Sequence, residues 1–143
     1  MNNISLSQKE RLTELFNKNN IVAVYLFGSR AEGTSNEDSD YDFGILLEAP
    51  DKLAIAQILL DLEVEAANIL NKEVDVIILN TATIEQKYLI FSRGIVFYCK
   101  DNDIRTDFED IIIRDYLDFK PFLEQYRREF REAIEEGDFY AKP

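Results

Sequence analysis

Seven consecutive apolar or aromatic residues, Ile21 to Phe27 (IVAVYLF), stop abruptly at Gly28-Ser29. So short a run, rich in β-branched and aromatic side chains, reads as a buried strand, and the glycine behind it as a tight turn. Gly28 can take backbone conformations closed to other residues and lets a ligand approach the main chain. Ser29 adds a hydroxyl and an amide suited to a phosphate oxygen. If Arg30 and Ala31 begin a short helix, its free N–H groups extend the turn into an anion cradle.

After a gap of ten residues behind Ser29 comes Asp40-Tyr41-Asp42, followed by a second apolar run. On an extended chain Asp40 and Asp42 point to one face, with Tyr41 and Phe43 on the other. Two carboxylates converging on one point repel, and one tends to protonate unless cations sit between them. Mg²⁺ suits that place, because it prefers oxygen ligands and is commonly held by one or two carboxylates together with substrate phosphates. A third acid, Asp75, lies in KEVDVIIL (Lys72 to Leu79), another short strand pattern. There it shares a face with Ile77 and Leu79, a costly place for a core carboxylate without a partner or a metal. Each piece alone has a plainer reading: Ser35 to Asp40 as a polar loop with capping side chains, Asp75 as a strand-end turn carboxylate. Together they outline a two-metal nucleotidyl-transfer site.

The combination resembles the nucleotidyltransferase superfamily of DNA polymerase beta, and within it the minimal nucleotidyltransferase (MNT) antitoxins paired with HEPN toxins. Length, element order and the segment YLDFKPFLEQY (Tyr116 to Tyr126) share in the likeness. The resemblance implies that Asp40 and Asp42 hold two Mg²⁺ ions, and that Asp75 joins them to position and activate an acceptor hydroxyl. It further implies that Gly28 and Ser29 grip the nucleotide phosphates. Glu32 stands where many relatives carry a basic residue, which leaves Arg30 as the nearer candidate cation. The activity implied is transfer of AMP from ATP to a tyrosine of a cognate HEPN ribonuclease toxin, which the antitoxin thereby neutralises. Two other classes compete: a small-molecule nucleotidyltransferase of the aminoglycoside type, and a module that neutralises its partner by contact alone.

Composition narrows the chemistry. The chain contains no histidine, so Ser-His-Asp hydrolysis, His-ligated zinc and a histidine general base are excluded. A net charge of −12 repels nucleic acid and anionic membranes, which favours a protein acceptor over direct nucleic-acid binding. No apolar run reaches the length of a membrane span and the N-terminus lacks a signal-peptide layout, so a cytoplasmic address is expected. The single Cys99 reads as a half-buried structural thiol.

At 143 residues, 46% of them hydrophobic, a single nucleotidyltransferase domain over residues 1–143 is expected. Its C-terminal helices, about 103–137, would pack on it or on a partner. Helix one is expected from about Ser7, where Ser7 and Glu10 have capping-box spacing, through Leu12, Leu15 and Phe16 to Asn19-Asn20. Pro50 and Asp51 open a long helix with Leu53, Ala56, Leu60, Val64, Ala67 and Leu70 at helical spacing. Thr83 to Ser92 reads as a Thr-capped helix and Gly94 to Lys100 as a final strand. From Phe108 a stripe of Ile112, Tyr116, Phe119, Leu123, Tyr126, Phe130 and Ile134 follows, with a break or kink expected near Phe119 to Lys120 because of Pro121. The fold class is α/β (α+β), a small mixed sheet flanked by helices.

Overall fold

A computed structural model describes residues 4–49 and 51–137. Four strands form one sheet in the order β3-β2-β1-β4: β1 (Ile21–Phe27), β2 (Tyr41–Leu47), β3 (Val74–Ile78) and β4 (Ile95–Cys99). The sheet is mixed, since β1 runs antiparallel to β2 and β4 while β2 runs parallel to β3. Five helices surround it: α1 (Leu6–Asn17), the single turn α2 (Ser29–Glu32), α3 (Lys52–Leu70), α4 (Ile84–Arg93) and α5 (Asn102–Glu135).

β1 is apolar throughout because both faces of the sheet are covered. On one side Leu12, Leu15 and Phe16 of α1 and Leu62, Ala66 and Leu70 of α3 pack on Val24, Leu26, Phe43 and Ile45. On the other, Ile90 of α4 joins Val22, Tyr25, Leu46 and Leu79, with Phe108 of α5 against them. Gly44 is the seat for α4: a Cβ there would lie 2.8 Å from Cγ2 of Ile90. Tyr25, buried in this layer, donates its hydroxyl to Glu109 of α5 at 2.5 Å, and Arg105 bonds the same oxygen at 2.9 Å. Burial, then the Glu109 carboxylate, raises the Tyr25 pKa.

Several expected boundaries shift. Helix one is capped two residues earlier, by Ser5, whose hydroxyl accepts from Gln8 N–H while the Gln8 side chain accepts from Ser5 N–H. Ser5 and Gln8 have the same spacing as Ser7 and Glu10, and Leu12, Leu15 and Phe16 are buried with either start. Asp51 caps α3 as expected; Pro50 lies outside the described residues. The inward face of α3 is only partly the expected stripe. Ala67 and Leu70 pack on the core, but Leu53, Leu60 and Val64 are exposed, and Ile55, Ile58, Leu59, Leu62, Ala66 and Ile69 complete the packed face. This helix is apolar nearly all round, so two stripes fit the helical period and docking on β3 and α1 decides between them. Thr83 caps α4 with a capping box to Gln86. α5 runs as one helix through Pro121, so of the break or kink expected near Phe119 to Lys120 the break does not occur. It lies against α4 from Ile112 to Arg127, which reaches Glu85 at 3.3 Å, while Tyr126, Phe130 and Ile134 are exposed. Among the described residues no helix is long and apolar enough to cross a membrane.

Candidate active site

Three strand termini meet at one end of the sheet. Phe27, at the end of β1, is in register with Asp42 near the start of β2, and Asp42 is in register with Asp75 of the parallel β3. The turn after β1 is thereby delivered to the carboxylate pair. Gly28 has φ 73° and ψ −158°, a region that side-chain-bearing residues essentially do not enter. A Cβ on Gly28 would lie 2.3 Å from Oδ2 of Asp42, so the turn and the carboxylate are packed backbone to side chain.

Asp42 is half-buried, whereas Asp40 and Asp75 are exposed. Burial raises the Asp42 pKa above the ordinary carboxylate value, and the charges of Asp75 and then Asp40 push it further the same way. The three acids thus share one electrostatic neighbourhood, and it is the repulsion between them, not the burial, that a bound cation would relieve. Asp75 does not sit in the core. Along β3 the inward residues are Val74, Val76 and Ile78, and Asp75 points outward with the half-buried Ile77, while Leu79 has already left the strand for a 3-10 turn. The strand register puts Asp75 beside Asp42 at no burial cost to itself.

Ahead of β2 the polar loop reads as its composition suggested. Asn36 accepts from Asp38 N–H at 2.8 Å, and the Ser39 hydroxyl accepts from Asn36 N–H at 2.9 Å, closing a local turn that ends at Asp40. In α2 the N–H groups of Ala31 and Glu32 already return to the Gly28 carbonyl, both at 3.1 Å. The expected anion cradle is reduced accordingly to Ser29 and the amides nearest it.

Arg30 is placed where the sequence gave no hint. Its side chain is 2% exposed, donates Nη2 and Nε to the Ser39 carbonyl at 2.8 and 3.3 Å, and lies over the Tyr41 ring at 4.3 Å. Tyr41 belongs to the face of β2 opposite Asp42. Ser39 and Tyr41 had no functional reading in the sequence.

Among the described residues no three His, Cys, Asp or Glu side chains form a ready-made metal cage. The donor set is carboxylate oxygen alone, with cationic charge favoured at Asp42. That chemistry fits a hard cation such as Mg²⁺ that takes its remaining ligands from water and phosphate.

The model of the family "Polymerase beta, Nucleotidyltransferase" matches residues 10–103, a span that includes every residue of this constellation. No curated protein matches the chain in sequence. Solved structures share its fold at low identity. One of a toxin–antitoxin with AMP-PNP has a TM-score of 0.66 and 20% identity, covering 88% of this chain and 97% of that one. Another contains a tri-AMPylated HEPN toxin of Shewanella oneidensis in complex with its MNT antitoxin, at a TM-score of 0.62 and 16% identity over 90% and 96%. A third, the toxin–antitoxin MntA-HepT, has a TM-score of 0.60 and 16% identity over 91% and 98%. With the family model matching residues 10–103, from within α1 to the start of α5, the chain belongs to the polymerase beta nucleotidyltransferase family.

Proposed function

We propose that this chain is a Mg²⁺-dependent antitoxin, acting as a single catalytic domain, that transfers AMP from ATP to a tyrosine hydroxyl of a cognate HEPN ribonuclease toxin. The observation that carries the reading is the register of Asp42 with Asp75, beside a Gly28 packed onto the Asp42 carboxylate. It is supported by the family match and by the shared fold with structures of AMP-PNP-bound and AMPylated toxin–antitoxin complexes.

In this reading Asp40 and Asp42 hold two Mg²⁺ ions, with Asp75 contributing from the neighbouring strand. Bound there, the ions would neutralise the triphosphate and stabilise the leaving pyrophosphate. Ser29 offers its hydroxyl and amide to a phosphate oxygen, and Gly28 lets the nucleotide approach the main chain. Asp75, exposed at the edge of the site, orients the attacking hydroxyl and takes its proton. The exposed aromatic end of α5 is available to a protein partner, which agrees with an acceptor brought in on a second chain.

The test is neutralisation at sub-stoichiometric antitoxin. An enzyme silences a molar excess of toxin given ATP and Mg²⁺, and leaves the toxin heavier by one or more AMP units on tyrosine. A contact inhibitor works only at equimolar amounts and leaves the toxin's intact mass unchanged. The second outcome would replace modification by binding.

A further inference from the structure

We propose that Arg30 is a positioning residue that locks Asp40 in place for metal binding, and is not a ligand of the nucleotide. The inference rests on the proposed metal site at Asp40 and Asp42. Arg30 grips both neighbours of Asp40: its guanidinium forks onto the Ser39 carbonyl and stacks on the Tyr41 ring. Asp40 itself is exposed and lies outside the strand, so nothing in the β2 ladder fixes it. Holding the residues before and after it fixes its backbone.

Arg30 also belongs to α2, directly behind Gly28 and Ser29. One side chain therefore ties the turn behind β1 to the carboxylate loop ahead of β2. Its burial shows that this is its place: a guanidinium 2% exposed has left water, and among the described residues it pairs with no carboxylate that would repay the loss. The planar fork and the flat ring stack are what it gains instead; lysine can supply no fork and could meet the ring only as a point charge. Because Tyr41 and Asp42 leave opposite faces of β2, the stack also holds the guanidinium away from the face where phosphates would meet Asp42.

Two variants of the full chain decide the matter: Arg30→Lys, which keeps charge and stem, and Arg30→Met, which keeps the apolar stem alone. Mn²⁺ binding without nucleotide is followed by electron paramagnetic resonance, and KM for ATP is measured at saturating metal. A clamp predicts that both variants weaken Mn²⁺ binding about tenfold or more while KM for ATP stays within about twofold. A phosphate ligand predicts the reverse pattern, with Lys restoring the wild-type KM and Met raising it, and that result overturns the proposal. Wild-type Mn²⁺ affinity in both variants overturns it as well. Circular dichroism accompanies each titration; if Met fails to fold, the Lys variant alone decides, since it separates charge from fork and stack. The Mn²⁺ arm needs neither acceptor nor turnover, so it is unaffected if the acceptor is not a HEPN toxin. A wild-type chain that binds no Mn²⁺ would remove the metal site and this role with it.

Discussion

Asp42 and Asp75 stand opposite each other in register across the parallel β2–β3 ladder, while Phe27 of β1 pairs with Asp42 on its other side. That arrangement converts positions far apart in sequence into one site. It also sets an energetic conflict: the half-buried Asp42 carries a raised pKa from burial and from two like charges. The metal-free fold holds these acids together against their repulsion.

Asp42→Asn should therefore raise the thermal midpoint of the metal-free protein at neutral pH while abolishing the proposed AMP transfer. The sign follows from linkage. Folded Asp42 binds its proton more tightly than the unfolded chain, whose carboxyl titrates near 3.8. Below that pH both states are protonated and the charge costs nothing. As pH rises the unfolded chain ionises first, and the penalty is complete above the raised folded value. The gain from Asn should thus be full at pH 7 and vanish as pH falls toward 3.8, and saturating Mg²⁺ should erase or reverse it by stabilising wild type alone. A midpoint that drops at pH 7 would make Asp42 a structural group.

Gly28→Ala and Gly33→Ala form a matched pair. Both glycines have positive φ, 73° and 77°, but a Cβ on Gly28 meets Asp42 at 2.3 Å whereas one on Gly33 meets nothing within 4 Å. Alanine at 33 should cost about 1 kcal/mol of backbone strain and leave transfer intact. At 28 the strain is about 1–3 kcal/mol, with Asp42 displaced besides, so transfer is lost. Denaturant midpoints beside labelled-AMP incorporation separate the two; equal loss of activity would detach the turn from the site.

Much of this was readable in the chain because local signals agreed. The apolar run into Gly28, the alternation around Asp42 and the caps at Asp51 and Thr83 are each set within a few residues, and the structure keeps them. What failed was decided at longer range. Periodicity could not choose between two apolar stripes on α3, because the choice depends on β3 and α1. Asp75 read as a core carboxylate until the burial of Val74, Val76 and Ile78 turned its face outward. The place of Arg30 depends on Ser39 and Tyr41, which lie on the far side of the loop from α2.

Tyr25→Phe tests the buried link between the sheet and α5. The hydroxyl donates to Glu109, which Arg105 also holds, so the variant removes one charge-assisted hydrogen bond and leaves the Arg105–Glu109 pair. A loss of about 1–3 kcal/mol in denaturant unfolding is expected, with transfer chemistry unchanged. No loss would show that Arg105 and water satisfy Glu109 fully.

Pro121→Ala should stabilise α5. The proline withholds a donor from the turn before it, yet the helix continues from Asn102 to Glu135. Restoring that donor is worth up to about 3 kcal/mol to the helix. Beyond Leu123 the helix is exposed, so the gain should concentrate there and appear as slower amide exchange over residues 118–135. Unchanged exchange would mean that the segment opens independently of the proline.

Asp75→Asn separates acting on the acceptor from holding the nucleotide. In the proposed mechanism Asp75 takes the proton of the attacking hydroxyl, and its exposure at the strand edge leaves room for an acceptor from another chain. Asparagine preserves size and hydrogen-bonding reach but accepts no proton, so turnover should fall about 100-fold or more. Mg²⁺-ATP affinity should change far less, because Asp42 and Asp40 remain. Removing one of three like charges even eases the field on Asp42, whose raised pKa should move back toward 3.8. Calorimetric titration of Mg²⁺-ATP beside single-turnover rates distinguishes the possibilities. Equal losses in binding and rate would make Asp75 an ordinary metal ligand, and no loss in either would reduce it to a surface carboxylate that happens to lie in register with Asp42.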